Sequence, residues 1–219
     1  MPRDVKPKRR YESPRRQEQA AATRASILDA AQRLFERHGY LGTSVGEIAA
    51  EAGVALKTIY AVFGTKRGVL VALRQRLVRG GDDPVPLHEQ ESFKAMLAEP
   101  DPRKRIKLIA QLAAELKQRA GPIFEIIRNA APADPEIAAL WDRFMQDFYE
   151  TQRLVIASLE RDGSLALDPD RATDVLWTVN HPSVYHLLVR ERGWTTAEYE
   201  QWLETTLAQQ LLGRRRQRP

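Results

Sequence analysis

Apolar residues recur at helical spacing along most of the chain, and the pattern starts with Ile27, Ala30, Ala31, Leu34 and Phe35. That stripe predicts a helix over about residues 24–38, closed by His38-Gly39-Tyr40. Ser44 followed by Glu47 is a capping box, and Val45, Ile48, Ala49 and Ala52 behind it fall on one face of a second, short helix. Gly53 supplies the stop, since glycine turns through positive φ without steric cost. Val54, Ile59 and Phe63 continue the burial from a third helix, which leaves Leu56, Lys57, Thr58, Tyr60 and Ala61 on its outer side. Thr65 caps a fourth helix with Val69, Leu70, Leu73 and Leu77 inward and Lys66 and Arg67 at its amino end.

Two short helices hinged at a glycine, the second exposing lysine, threonine and tyrosine, form the pattern of a helix-turn-helix. Such an outer face suits a major groove: lysine reaches a guanine edge or a phosphate, threonine offers a hydroxyl and a methyl, and tyrosine donates to a phosphate oxygen. Lys66, at a helix amino terminus whose free amides favour anions, is expected to strengthen a phosphate contact. An ordinary helical hairpin with a polar surface is the competing reading of these residues alone.

Beyond residue 79 the periodicity continues, after a loose segment over 80–86 and a short apolar patch at Phe93, Met96 and Leu97. Asp101-Pro102, Asp134-Pro135 and Asp168-Pro169 each set an N-cap aspartate before a proline suited to the first helical position. Thr195 and Glu198 form a second capping box. Helices are expected over about 102–119, 121–130, 135–161, 170–191 and 196–212, with Pro182 kinking the fourth of these. The fold class is therefore all-α: an amino-terminal helix-turn-helix domain and a carboxy-terminal helical bundle. The divisions read as a basic arm over 1–19, disordered until about Arg16, a head over 20–66 with a linking helix over 66–79, a bundle over 80–213 and a basic tail over 214–219.

Charge fits a polyanionic partner. Lys and Arg number 34 against 29 Asp and Glu, a net +5, and the excess is concentrated at the amino end, where residues 1–24 carry eight basic and three acidic side chains. This arm can follow a DNA backbone or enter a minor groove, or it can serve only as a solvated leader. The chain has no cysteine, which excludes disulfides and thiolate metal sites. His38, His88, His181 and His186 give no i, i+4 metal pair, and no acid–base or nucleophile constellation stands out. Neither metal nor other cofactor is expected, nor is catalysis. No apolar run approaches a membrane span, so a cytoplasmic location is expected.

In the bundle, Phe124, Arg128, Trp141, Phe144 and Phe148 stand near a later stretch in which Trp177, Asn180, His181 and Tyr185 bring polar tips into an apolar run. A bent helix of that composition can border a small-molecule pocket for an apolar or amphipathic ligand; a satisfied core histidine beside a packing kink explains it equally well.

The order of residues from Thr43 to Leu70, TSVGEIAAEAGVALKTIYAVFGTKRGVL, resembles the amino-terminal signature of the TetR family of transcriptional regulators, and the match extends over roughly 24–79. Gly39-Tyr40, Thr43-Ser44, Ile48-Ala49, Ala52-Gly53-Val54, Thr58-Ile59-Tyr60, Phe63 and Thr65-Lys66 carry it. Ala55 stands where the family commonly has a capping serine, and Ala61-Val62 where a His/Tyr pair is frequent. The resemblance implies DNA contacts from Thr43, Ser44, Leu56, Lys57, Thr58, Tyr60 and Lys66 to a double-stranded operator. The segment Asp174-Val175-Leu176-Trp177, with Tyr185-His186-Leu187-Leu188-Val189 and Gly193-Trp194, is similar to the carboxy-terminal end of an actinobacterial-type subgroup. The family's last two long helices form a four-helix homodimer interface, which places Val175, Val179, Val184, Leu187, Leu188, Tyr199, Leu203, Leu207 and Leu211 there. What the resemblance implies overall is a dimeric repressor released from a palindromic operator by an effector. A ligand-independent regulator, or an activator of the same fold, is the alternative.

Overall fold

The computed structural model describes residues 14–81, 85–161 and 163–213. The basic tail over 214–219 and most of the basic arm lie outside the described residues. The elements are α1 (Pro14–His38), α2 (Val45–Glu51), α3 (Leu56–Phe63), α4 (Lys66–Arg79), α5 (Glu91–Ala98), α6 (Pro102–Ala130), α7 (Pro135–Glu160), α8 (Pro169–Val179), α9 (Pro182–Tyr185) and α10 (Thr196–Leu211). Single 3-10 turns stand before α5 and α7, a π-helical stretch His186–Glu191 follows α9, and one antiparallel bridge joins Leu165 to Leu212.

The capping signals work as the residues predict. Asp101 and Asp134 each accept two first-turn amides, Asp168 accepts from Arg171 N, and both capping boxes close. Three boundaries differ from expectation. Helix α1 begins at Pro14, so residues 14–19 are helical: Gln17 to Ala22 are good helix formers, and propensity extends the helix although these residues are exposed. Residues 102–130 form one continuous helix, because Pro122 forfeits a single backbone bond while Ile123, Phe124 and Ile127 beside it are buried. The expected kinked helix over 170–191 is instead broken at His181, whose extended backbone (φ −64°, ψ 140°) is the conformation a following proline imposes. Its Nδ1 then accepts from Ser183 N, making His181 an N-cap.

Two cores hold the chain together, and they do not divide where the linking helix ends. One unites α1–α4 with the last turns of α6 (Ala120, Ile123, Phe124, Ile127) and the first half of α7 (Ile137, Leu140, Phe144). The other unites α5, the first half of α6, the second half of α7, and α8 to α10. Helices α6 and α7 therefore run through both. Tyr199, Leu203, Leu207 and Leu211 are fully buried in the second core, where α10 packs on α6. These four residues, expected at a subunit interface, are consumed within their own chain. An apolar stripe on a helix shows that something covers it, but not which element does.

Candidate DNA interface and ligand cavity

Helix α3 is anchored from beneath. Ile59 is fully buried in the head core, and Phe63 lies under the Arg24 guanidinium at 4.7 Å. Ser26 donates to Ala52 O at 3.1 Å, and Arg33 pairs with Glu51 at 2.9 Å, tying α2 to α1. Gly53 turns between α2 and α3 at φ +66°. The α3–α4 junction depends on Gly68, where a Cβ would stand 1.9 Å from the carbonyl oxygen of Phe63.

This support leaves Leu56, Lys57 and Tyr60 pointing outward together with Ala61 and Val62, while Thr58 is half-buried. Ser44 is exposed at the start of α2, its hydroxyl accepting from Glu47 N at 3.1 Å. Ala55 occupies the N-cap of α3 and provides no side-chain bond, so that helix starts with its amides uncapped.

Two residues expected on the DNA face are used differently. Thr43 is buried and its hydroxyl donates to Gly39 O at 2.8 Å, closing the α1–α2 turn. Lys66 folds back over the Tyr40 ring, with its ammonium 4.2 Å from the ring centroid, and donates to the carbonyls of Tyr40 and Thr43, each at 2.9 Å. Burial brings its pKa below the ordinary lysine value. Its charge fastens the α1–α2 turn to α4 rather than reaching outward. Once helices pack, a buried carbonyl competes with solvent phosphate for the same ammonium, and linear spacing does not reveal the winner.

Between the two cores lies a cavity of about 740 Å³. Arg74 and Val78 of α4, Phe93 and Met96 of α5, Leu112, Leu116 and Lys117 of α6, and Phe144, Phe148 and Gln152 of α7 form its walls, with Asn180 and Pro182 at the α8–α9 break. Of the expected pocket residues, Phe124, Phe144, Phe148 and Asn180 line it. The other five are engaged elsewhere. Arg128 pairs with Glu125 at 2.5 Å, Trp141 packs on the head-side core, Trp177 meets His181 edge to face at 5.0 Å, and Tyr185 packs on Tyr199 while sharing a 3.0 Å hydrogen bond with Thr196. His181 also touches Phe148, and burial, followed by the charge of Lys117, lowers its pKa.

The sequence reading missed Lys117 and Arg74. Lys117 is almost wholly buried and donates to Asn180 Oδ1; Asn180 Nδ2 donates to Gln152 Oε1 at 3.0 Å, and Gln152 donates to Phe148 O at 3.1 Å. Burial brings the Lys117 amine down to about 7. The Arg74 guanidinium lies 3.6 Å from the Phe144 ring centroid, and its buried Nε has no hydrogen-bond partner. Lys117 was legible as a lone lysine on the stripe formed by Ile106, Ala110, Ala114, Ala120 and Phe124. Arg74 carried no such signal.

Residues 27–73 match the family model of bacterial regulatory proteins, tetR family. Over 202 residues the chain is 28% identical to the HTH-type transcriptional regulator TtgR of Pseudomonas putida, covering 88% of this chain and 93% of the relative. It is 28% identical over 162 residues to EthR of Mycolicibacterium smegmatis, covering 71% and 69%. Similar solved structures include a transcriptional regulator from Saccharomonospora viridis in complex with choline (TM-score 0.65, 22% identity, 89% and 100% covered). Another is NalD, the secondary repressor of the MexAB-OprM multidrug efflux pump in Pseudomonas aeruginosa (TM-score 0.65, 21% identity, 88% and 98% covered). With a helix-turn-helix head built as described and an all-helical fold shared over nearly the whole chain, residues 27–73 carry the amino-terminal domain of the tetR family of bacterial regulatory proteins, and the chain as a whole is similar to HTH-type transcriptional regulators.

Proposed function

We propose that the protein is a homodimeric repressor that holds a palindromic operator through two copies of α3 and releases it when a small apolar or amphipathic effector enters the cavity between the cores. The observation that carries this reading is the outward face of α3, where Lys57 and Tyr60 stand exposed above a buried Ile59. Lys57 and Tyr60, with Leu56, Thr58 and Ser44, are assigned the groove and phosphate contacts. The subunit contact is assigned to Val175 and Val179 of α8 and to Val184, Leu187 and Leu188 after the break, of which Leu187 is half exposed. Release follows from α4, whose Val69, Leu70 and Leu73 sit in the head core while Arg74 and Val78 face the cavity. A ligand that binds the cavity better when α4 is displaced shifts the dimer towards heads that no longer fit the operator spacing. Relatives of this fold have been solved with choline and with triclosan, which supports a ligand-responsive bundle. The role is regulatory, not catalytic, and exercised in the cytoplasm; among the described residues no helix is long and apolar enough to cross a membrane.

The test is footprinting of purified protein on genomic fragments selected by binding. Protection of a two-fold symmetric site, by a species of twice the chain mass, supports the reading. Absence of any protected site at modest salt overturns it.

A further inference from the structure

The rim of the cavity carries charges of both signs, but its deep part carries only positive ones. Its carboxylates, Glu115, Asp147 and Glu150, are all exposed at the rim, where water screens them, and Glu150 is already paired with Arg153 at 3.4 Å. Among its cations Arg79 and Arg119 stand towards the surface, and Asp147 is near enough to act on the Arg74 charge, whereas Lys117 and the Arg74 Nε lie further in. Lys117 is almost wholly buried, with only the neutral Asn180 amide and the Tyr199 ring for partners, and the Arg74 Nε is buried with nothing to donate to. A buried ammonium without a carboxylate is unfavourable and is retained in few structures unless something completes it. Around these two groups the walls are apolar: Phe144, Phe148, Leu112, Leu116 and Met96.

We infer that the cavity takes an amphipathic anion, a carboxylate or similar acidic head on an apolar body, with the head on Lys117 and Arg74 and the body against the Phe144–Phe148 side, and that it rejects quaternary ammonium ligands. This rests on the reading of the cavity as an effector site and names the effector's charge. Asn180 is the acceptor that fixes the Lys117 amine: Gln152 accepts from the Asn180 amide nitrogen so that the Asn180 oxygen faces the amine, and the remaining amine protons are left for an incoming anion. Charge-assisted bonds of this kind are the strong ones in a low-dielectric site. A cationic head in the same place meets two like charges, and no lining carboxylate stands at that depth; the buried Glu125 nearby is paired with Arg128.

The experiment measures binding of three probes of equal chain length, decanoate, 1-decanol and decyltrimethylammonium, below their micellar concentrations, by calorimetry and thermal shift on the full chain. It is run at about pH 6.5, where free carboxylates are ionised. Decanoate is expected to bind about tenfold or more tighter than decanol, and decyltrimethylammonium weakest. Lys117→Met should abolish the preference of decanoate over decanol while retaining decanol binding, which also shows that the variant is folded; Lys107→Met, on the exposed side of the same helix, should leave the order unchanged. If the neutral or the cationic probe binds best, or if Lys117→Met and Arg74→Met both keep the preference for decanoate, the charge assignment is overturned while the cavity remains an effector site. If none of the three binds a protein that still protects its operator, the effector reading itself fails and takes this inference with it.

Discussion

Lys66 donates to the main-chain carbonyl of Tyr40 from 26 residues away and lies over the same residue's ring. A single side chain at the first turn of α4 thereby closes the turn that positions α2, which supports α3 with Leu56, Lys57 and Tyr60 exposed.

Replacing Lys66 by Ala removes two charge-assisted bonds and leaves the Tyr40 and Thr43 carbonyls without that partner. The expected loss is about 1–3 kcal/mol of stability, read as a lower denaturation midpoint. Operator binding should weaken with the folded fraction, while the slope of log affinity against log salt stays at the wild-type value, because no phosphate contact has been lost.

Lys57→Ala is expected to behave in the opposite way. The side chain is exposed and at the outer side of α3, so the unfolding midpoint should move little, whereas discrimination between the operator and single-base variants should fall by about 1–3 kcal/mol at the position it reads. Competition binding with a set of operator variants measures it. A change in unfolding with no change in binding would remove Lys57 from the interface.

Helix α3 has an uncapped start, and Ala55 already has the extended backbone an N-cap needs (φ −69°, ψ 142°). Ala55→Ser should therefore stabilise the head by about 1 kcal/mol, measured by chemical denaturation. Gly68→Ala should do the reverse, because its new Cβ meets the Phe63 carbonyl and the α3–α4 junction has to open; a loss of about 2–3 kcal/mol is expected.

Stability should rise with pH through the alkaline range. The Lys117 amine titrates at about 7 in the folded protein against 10.5 when free, so between those values the unfolded chain holds a proton that the native chain has shed. Below about 7 both states are protonated, and the native state carries the full cost of the buried charge. The groups facing that amine are the Asn180 amide and the Tyr199 ring, with His181 near enough to feel its charge. Lys117→Met should raise the melting temperature near pH 6 and flatten the rise between about pH 7 and 10. A variant whose melting curve keeps the wild-type pH dependence rules out this assignment.

The short-range signals were readable because each acts on its immediate neighbours. Asp101, Asp134, Asp168, Ser44 and Thr195 cap amides two or three residues away, and such bonds follow from local chemistry wherever the chain then goes. The helix-turn-helix was legible for the same reason: it spans about twenty residues, and the inward face of α3 follows from the stripe of Val54, Ile59 and Phe63. Extent was harder to judge where opposing local preferences met, as at Gly121-Pro122, where long-range burial kept the helix whole, and at His181-Pro182, where the backbone demand of proline prevailed.

Whatever depends on residues distant along the chain came from packing. Periodicity marks Tyr199, Leu203, Leu207 and Leu211 as needing cover, but only assembly shows that α6 of the same chain supplies it. Likewise Lys66 and Thr43 have the chemistry of phosphate ligands, and the docking of α4 against the α1–α2 turn turned both inward. The cavity is the extreme case, since four separate helices and a helix break converge on it and its two inward cations, Arg74 and Lys117, lie 43 positions apart. A side chain's type states what it can bond to; its partner is chosen by competition among all groups brought near it, and that competition exists only in the folded chain.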